Sequence, residues 1–374
     1  MLNKVSLASL GAASLALGTP ATKRDDTQPV GTNPISVASA QFLGDQTSSN
    51  SCAGRDLGFT GELNGQWYGV YGDTDWCAPG VTDPSQNPSG FYGLARDTVA
   101  LMGSNPLSIM DYHLNSDSPV PHPQQFVPYN SDWGENNEFG FGGTSICQTT
   151  DTAGAVYYLV NTNENVLWGA GVAQVEIVNN EPTVTRRYGT TGWWWNATTN
   201  ARYGDVAAYR DINLDYIYIW GGAPTMYDSD YTASQYSYLA RVEAANAYDL
   251  GSYEYWWGRT SAANGGGWQS DVLTTFSDDT AVFWGVGQGQ IVWSAYYNCY
   301  IFVHLSGTNV QLRTATTIEG PWTPDITVFT ATAINNGYVY AGVAHPYLDT
   351  SGKTLTISFS NDASVIQVVK LTFN

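Results

Sequence analysis

Short runs with a two-residue hydrophobic period recur from residue 34 to the end of the chain. They are rich in Val, Ile, Thr, Tyr, Phe and Trp and are bounded by Gly, Asn, Asp or Pro. Side chains that alternate in this way can bury one face only as strands of a sheet. Residues 66–71 (QWYGVY), 155–161, 171–178, 216–220, 236–242, 290–294, 299–305, 310–314, 355–360 and 365–372 all fit that pattern. No amphipathic helical period persists beyond two turns. The Ala-rich stretch 239–248 reads as a strand running into a short helix. The sequence therefore predicts an all-β fold.

The strand runs fall into five groups, over residues 53–114, 137–184, 204–247, 281–328 and 340–373. A repeat of about 60 residues suits four-stranded blades with decorated loops. The expectation is a five-bladed β-propeller forming a single domain over residues 25–374, with a β-sandwich such as a jelly roll as the rival architecture. A ring of blades must close, because an open edge pairs with other chains. The strand-like segment 34–43 (PISVASAQFL) precedes the first group and is expected to complete the last blade beside 365–372.

The chain carries 33 acidic against 14 basic residues, a net charge of −19. Neutralising phosphates needs clustered Lys and Arg, so neither nucleic acid nor a membrane surface is an expected partner. Aromatic residues make up 14% of the chain, which is material for a core and for flat surfaces that stack on ligands. Lys4 followed by the apolar run 5–17 reads as a secretion signal, too short to span a bilayer. Lys23-Arg24 resembles a fungal-type propeptide processing site, so residues 1–24 are taken as signal peptide and short propeptide of a secreted, extracellular protein. Four cysteines in a secreted chain suggest two disulfides. Cys52–Cys77 is favoured because the two flank adjacent strand runs, and Cys147–Cys299 follows by elimination. Asn196-Ala197-Thr198 is an N-glycosylation sequon.

The chemistry-bearing residues concentrate early. Gly54-Arg55-Asp56-Leu57-Gly58 and Gly72-Asp73-Thr74-Asp75-Trp76 lie far enough apart for two strands and a turn at 63–65. Such a hairpin brings Asp56 and Asp73 to the same end of a sheet, where two carboxylates push each other's pKa values apart. One then serves as acid and the other as base or nucleophile. Glu138, in Asn136-Asn137-Glu138-Phe139-Gly140, is expected at the start of an inner strand as a third carboxylate. Arg55, Asp75, Trp76 and Trp133 are candidates for substrate binding, as are Asp205, Trp284 and His345, which open later groups. Each has a plainer reading as turn chemistry, ion pairing or core packing. No Zn-type Cys/His spacing, nucleophile-elbow or phosphate-loop motif is present, so no cofactor is expected, and a structural calcium ion is left open.

Taken together, GRDLG (54–58), YGDTDW (71–76), NNEFGFGG (136–143), GPW (320–322) and AHPYLDTSGKTLTISFS (344–360) resemble the secreted five-bladed propellers of domain-of-unknown-function family 4185. More distantly they resemble furanosidase and arabinanase propellers. The resemblance covers most of the chain from about residue 36. Some members of that family are endo-D-arabinanases. The resemblance implies that Asp56 and Asp73 are the catalytic pair; Asp56 is expected as nucleophile or base and Asp73 as proton donor, with Glu138 as the alternative acid. Glu138 matches the acid of the more distant families only loosely. The expected function is a secreted, monomeric glycoside hydrolase cleaving a furanose-containing polysaccharide, arabinan or galactofuranan-like. The alternative is a lectin-like propeller that binds glycan without hydrolysis. The carboxylate gap would set the stereochemistry: roughly 5–5.5 Å for retention and roughly 6.5–9.5 Å for inversion.

Overall fold

The computed structural model describes residues 31–374 except 88–91, 117–119, 163, 165 and 260–265. The expected signal peptide and dibasic site lie outside the described residues. The chain is almost entirely strand and turn. Among the described residues the one α-helix is the single turn Tyr231–Ser234, capped by the Asp230 side chain. The stretch after Tyr236–Glu243 becomes the 3-10 turn Ala244–Asn246, the strand-to-short-helix transition expected from its alanines.

Strand β1 (Val37–Ser48) is followed by the hairpin of β2 (Ala53–Leu63) and β3 (Gln66–Trp76), whose turn is Asn64-Gly65. Both turn residues take positive φ, 53° and 69°, the pairing that favours Asn-Gly in two-residue hairpins. Outward from β2 the sheet runs β3, Thr98–Met102 and Ser108–Asp111. Later meanders follow the same pattern: Cys147–Thr150 to Glu181–Arg187, Arg202–Asp211 to Trp268–Gln269, Gln290–Ser294 to Ile326–Thr330, and Val339–His345 to Val365–Phe373.

Closure is achieved as the N-terminal segment predicts. β1 lies antiparallel to Val365–Phe373 from Val37 to Gln46. Its last residues, Thr47 and Ser48, then pair in parallel with Ser108 and Ile109. One strand thereby ties the first meander to the last in a nine-stranded sheet. The first strands of successive meanders also meet around a centre: β2 contacts Val339–His345, and Arg202–Asp211 contacts Gln290–Ser294. The Gln290 side-chain amide donates to the Thr60 carbonyl at 2.9 Å, which fills the centre at that level.

Large side chains pack the spaces between sheets. Tyr157, Trp195, Tyr203, Tyr253 and Tyr255 form one buried cluster, and Ile301, Val303, Ile357 and Phe359 belong to another. Cys52 and Cys77 are joined, as expected. The pair Cys147–Cys299 does not form. The two thiols are buried in different core clusters, where they act as small apolar side chains.

Candidate functional site

The site begins with an irregularity in β2. Arg55 pairs with Thr74, Leu57 with Tyr71 and Phe59 with Val70, so the ladder slips twice within five residues. Leu57 has φ 64° and Gly58 φ 96°. A left-handed leucine costs roughly 1–2 kcal/mol, and bulges of this kind re-aim side chains beside functional sites. Here the side chain re-aimed is Asp56. Its Oδ2 accepts a hydrogen bond from the Tyr340 hydroxyl at 2.7 Å, and its buried Oδ1 has no hydrogen-bond partner. The backbone makes room for it at Gly72, where a Cβ would lie 2.3 Å from Oδ1. Ser360 fixes the bulge from the last meander, its hydroxyl accepting from the Leu57 N–H at 2.8 Å.

β3 supplies the partners. Asp73 and Asp75 are two residues apart and share one face of the strand. Asp73 Oδ2 accepts from Arg96 at 3.4 Å. Arg96 in turn adjoins Asp97, which is fully buried and held by the Val127 N–H and the Gln125 side chain. Gln125 also accepts from Tyr129, at 2.8 Å, and from the Arg96 N–H.

Burial dominates the electrostatics. Desolvation, then the nearby Asp73 charge, holds the Asp56 carboxyl well above the usual carboxylate range. Asp73 is pushed up to about 6 by burial, against the pull of Arg96. Asp75 reaches about 6 through burial and the Asp73 charge. Asp97 rises to about 8 through burial, although the Val127 and Phe126 N–H groups oppose this. Three carboxyls so placed cannot all be ionised at once near neutrality. Asp73, with a guanidinium beside it, is the member of the Asp56–Asp73 pair that gives up its proton more readily.

The other expected site residues separate from this cluster. Arg55, adjacent in sequence, points away: its guanidinium makes two bonds to Asp111, at 2.6 and 3.0 Å, in a buried ion pair. That fork is satisfied within the protein, so the expected substrate contact is replaced by a structural one. Glu138 is exposed in a turn and does not open an inner strand. Its N–H is held by the Asn136 side chain at 2.8 Å. The buried acid of that segment is Glu135, bound through both oxygens to Arg187. The Trp76 indole stacks on the His122 imidazole at 4.0 Å and abuts Gly93, packing the hairpin end. Trp133 lies over the Arg187 guanidinium and lines a 180 Å³ surface pocket with Tyr129, Asn130 and Arg186.

Asp205 sits in the bulge of another first strand, between Tyr203 and Ala207, where it accepts from Arg202 at 2.9 Å. Trp284 is half-buried in a two-residue strand paired to Tyr236. His345 is fully buried and bonded to Ser358 at 2.8 Å, and burial pushes its imidazole down to about 4. Thr60 bonds the Ala344 carbonyl just as Tyr340 bonds Asp56, so the two strands advance together. His345 therefore lies further along the strand from Tyr340, toward the opposite end.

Sequence reasoning missed Tyr340. The signal was present: Asp56-Leu57-Gly58 and Tyr340-Ala341-Gly342 are matching triplets, and Leu57 and Ala341 both take positive φ. Each triplet is a bulge that turns its first residue toward the same site. Among the described residues, no group of three or more His, Cys, Asp or Glu is arranged to hold a metal ion.

The class this architecture defines is an all-β fold of successive meanders around a centre, and solved structures share it at low sequence identity. A Bacteroides ovatus protein provisionally assigned as a hydrolase matches with TM-score 0.60 and 14% identity, over 86% of this chain and 87% of that one. A GH43_1 enzyme from Xanthomonas citri matches at 0.50 and 10%, over 88% and 91%. An exo-β-1,3-galactanase from Phanerochaete chrysosporium, solved with galactose, matches at 0.51 and 12%, over 88% of this chain and 64% of that one. This chain thus spans less than two thirds of the galactanase. No protein-family model matches the chain, and no curated protein matches it by sequence.

Proposed function

We propose that the protein is a secreted glycoside hydrolase, a five-bladed propeller of the family 4185 type, acting on a furanose-containing polysaccharide. The observation that carries this reading is the carboxyl pair of buried Asp56 and half-buried Asp73. A bulged hairpin holds the two at one end of the ring, and the glycine at position 72 leaves room for the first. Leader-like residues 1–24 support export, and the resemblance of the GRDLG and YGDTDW segments supports the furanosidic substrate.

The chemistry follows from the unequal surroundings of the pair. Asp56 is desolvated and its hydrogen-bonding neighbour is neutral, so it carries the proton. Asp73, beside Arg96, is the carboxylate. As the glycosidic C–O bond breaks, its electron pair stays with the leaving oxygen, which takes the proton from Asp56. Asp73 faces the positive charge that develops on the sugar ring, as nucleophile or as base toward water. This reverses the roles expected from sequence, because the guanidinium beside Asp73 was not visible there.

The test is incubation with a panel of furanosyl and pyranosyl glycans, with product sizing. Furanosyl polysaccharides should be shortened by the wild type and left intact by Asp56→Asn and Asp73→Asn. Binding with quantitative recovery of intact glycan would establish the lectin reading instead. Full activity in either variant would remove the carboxyl pair from the mechanism.

A further inference from the structure

Asp56 has two oxygens with different fates. Oδ2 is engaged by the Tyr340 hydroxyl at 2.7 Å, while Oδ1 is buried and has no hydrogen-bond partner. We infer that Tyr340 is a positioning residue: its O–H fixes the Asp56 carboxyl and stabilises the carboxylate that remains once the proton has passed to the glycosidic oxygen.

The architecture is consistent with such a device. Tyr340 stands on a strand from a different sheet region than Asp56, nearly the whole chain away in sequence. The pairing of Val339–His345 with Thr354–Asn361 slips between Tyr340 and Val343, and Ala341 takes φ 57°. Two independent distortions therefore converge on one hydrogen bond. On the Oδ1 side the backbone is stripped to a glycine at position 72, and the Asp73 N–H next to it lies near enough to favour the carboxylate as well. The groups facing Asp56 are Asp73 and Asp75 from β3 and Tyr340 from the last meander, with Ser360 behind on the Leu57 N–H. Arg96 pairs with Asp73, and Arg55 with Asp111 on the other face of β2. Only Tyr340, among these side chains, both touches the Asp56 carboxyl and is neutral at neutral pH.

The proton balance is simple. Asp56 loses its proton to the leaving oxygen and becomes a carboxylate, which the Tyr340 O–H then stabilises. Removing that donor has two consequences with definite signs. The neutral acid gains relative to the carboxylate, so the Asp56 pKa rises further. The carboxyl also loses its anchor, so proton delivery slows. The inference rests on the hydrolase reading above, and the experiment separates the two.

Tyr340→Phe deletes one oxygen and keeps the ring. With substrates whose leaving group needs protonation, kcat should fall by about tenfold or more. With aryl glycosides whose leaving group departs unprotonated, kcat should change by less than about twofold. The basic limb of the kcat–pH profile, which reports loss of the acid's proton, should move up by about one pH unit. Equal losses for both substrate types with an unmoved basic limb overturn the positioning role and leave the hydrolase reading intact. A purely structural tyrosine would give that result together with a lowered melting temperature. A readout without turnover is the 13C titration of the Asp56 carboxyl, which should shift upward in Tyr340→Phe. An unshifted titration overturns the inference whether or not the wild type hydrolyses any glycan. A shifted titration in a protein that cleaves nothing supports the Tyr340–Asp56 coupling and refutes the hydrolase.

Discussion

Asp56 and Asp73 are held where burial opposes their ionisation, and this has a stability consequence. In the folded protein burial raises the Asp73 pKa to about 6 from its ordinary 3.8. Between those values the folded protein keeps a proton that the unfolded chain releases. Stability is therefore highest at the acid end and falls as pH rises from about 4 through about 6. At neutral pH the ionised group costs the fold on the order of 1–3 kcal/mol, reduced by the Arg96 contact. Asp73→Asn removes that cost, so the inactive variant should melt higher than the wild type at pH 7. Its advantage should vanish by about pH 4. Thermal unfolding across that range measures it, and a variant that melts lower at pH 7 would show that the lost Arg96 contact outweighs the relieved burial. Arg55–Asp111 behaves oppositely. Asp111→Asn leaves a buried guanidinium uncompensated and should destabilise by about 3–5 kcal/mol, read as a drop in unfolding midpoint.

Among the elements, the β2–β3 hairpin does most of the positioning, and glycine is the residue type that permits it. A Cβ at position 72 would stand 2.3 Å from Asp56 Oδ1, and the neighbouring strand prevents the backbone from retreating. Gly72→Ala should reduce kcat by about two orders of magnitude, because the carboxyl is displaced, and should lower the melting point, because the same Cβ meets the buried Leu57 side chain at 2.9 Å. A circular-dichroism melt alongside the kinetics checks both halves, and unchanged kcat would mean that the Asp56 carboxyl keeps its working position despite the added methyl. The hairpin itself was legible from sequence, since alternation, Asn64-Gly65 and the flanking cysteines all act locally. So was the pairing of the N-terminal segment with the last strand, because a ring must be closed by something. Other placements were not legible. Arg55 and Asp56 are neighbours, yet the bulge after Arg55 sends one to Asp111 and the other to Tyr340. Strand parity alone does not reveal a bulge. Glu138 and Glu135 share one acidic loop, and only the tertiary approach of Arg187 decides which of them is buried. Cys147 and Cys299 were paired by count, whereas burial in separate clusters keeps them apart.

At the scale of the molecule, the site depends on closure. Asp56 belongs to the first meander and Tyr340 to the last, and their bond exists only because the ring brings the two ends of the chain together. β1 is the clasp, antiparallel to Val365–Phe373 over most of its length and parallel to Ser108–Ile109 at its end. Most of its side chains are exposed, so its contribution is mainly backbone hydrogen bonding and the covering of an edge. Deleting residues 31–48 removes little apolar core but opens two strand edges, one on each side of the gap. Two outcomes are expected together. The truncated protein should self-associate, seen as a concentration-dependent shift in size-exclusion chromatography. Its remaining soluble fraction should lose hydrolytic activity well before it loses its strand content, because the Tyr340–Asp56 contact spans the opened seam. Supplying the segment 31–48 as a separate peptide should restore both monomer and activity, since the edge it pairs with is already formed. A truncated chain that stays monomeric and fully active would mean that the inner strands hold the ring shut without the clasp.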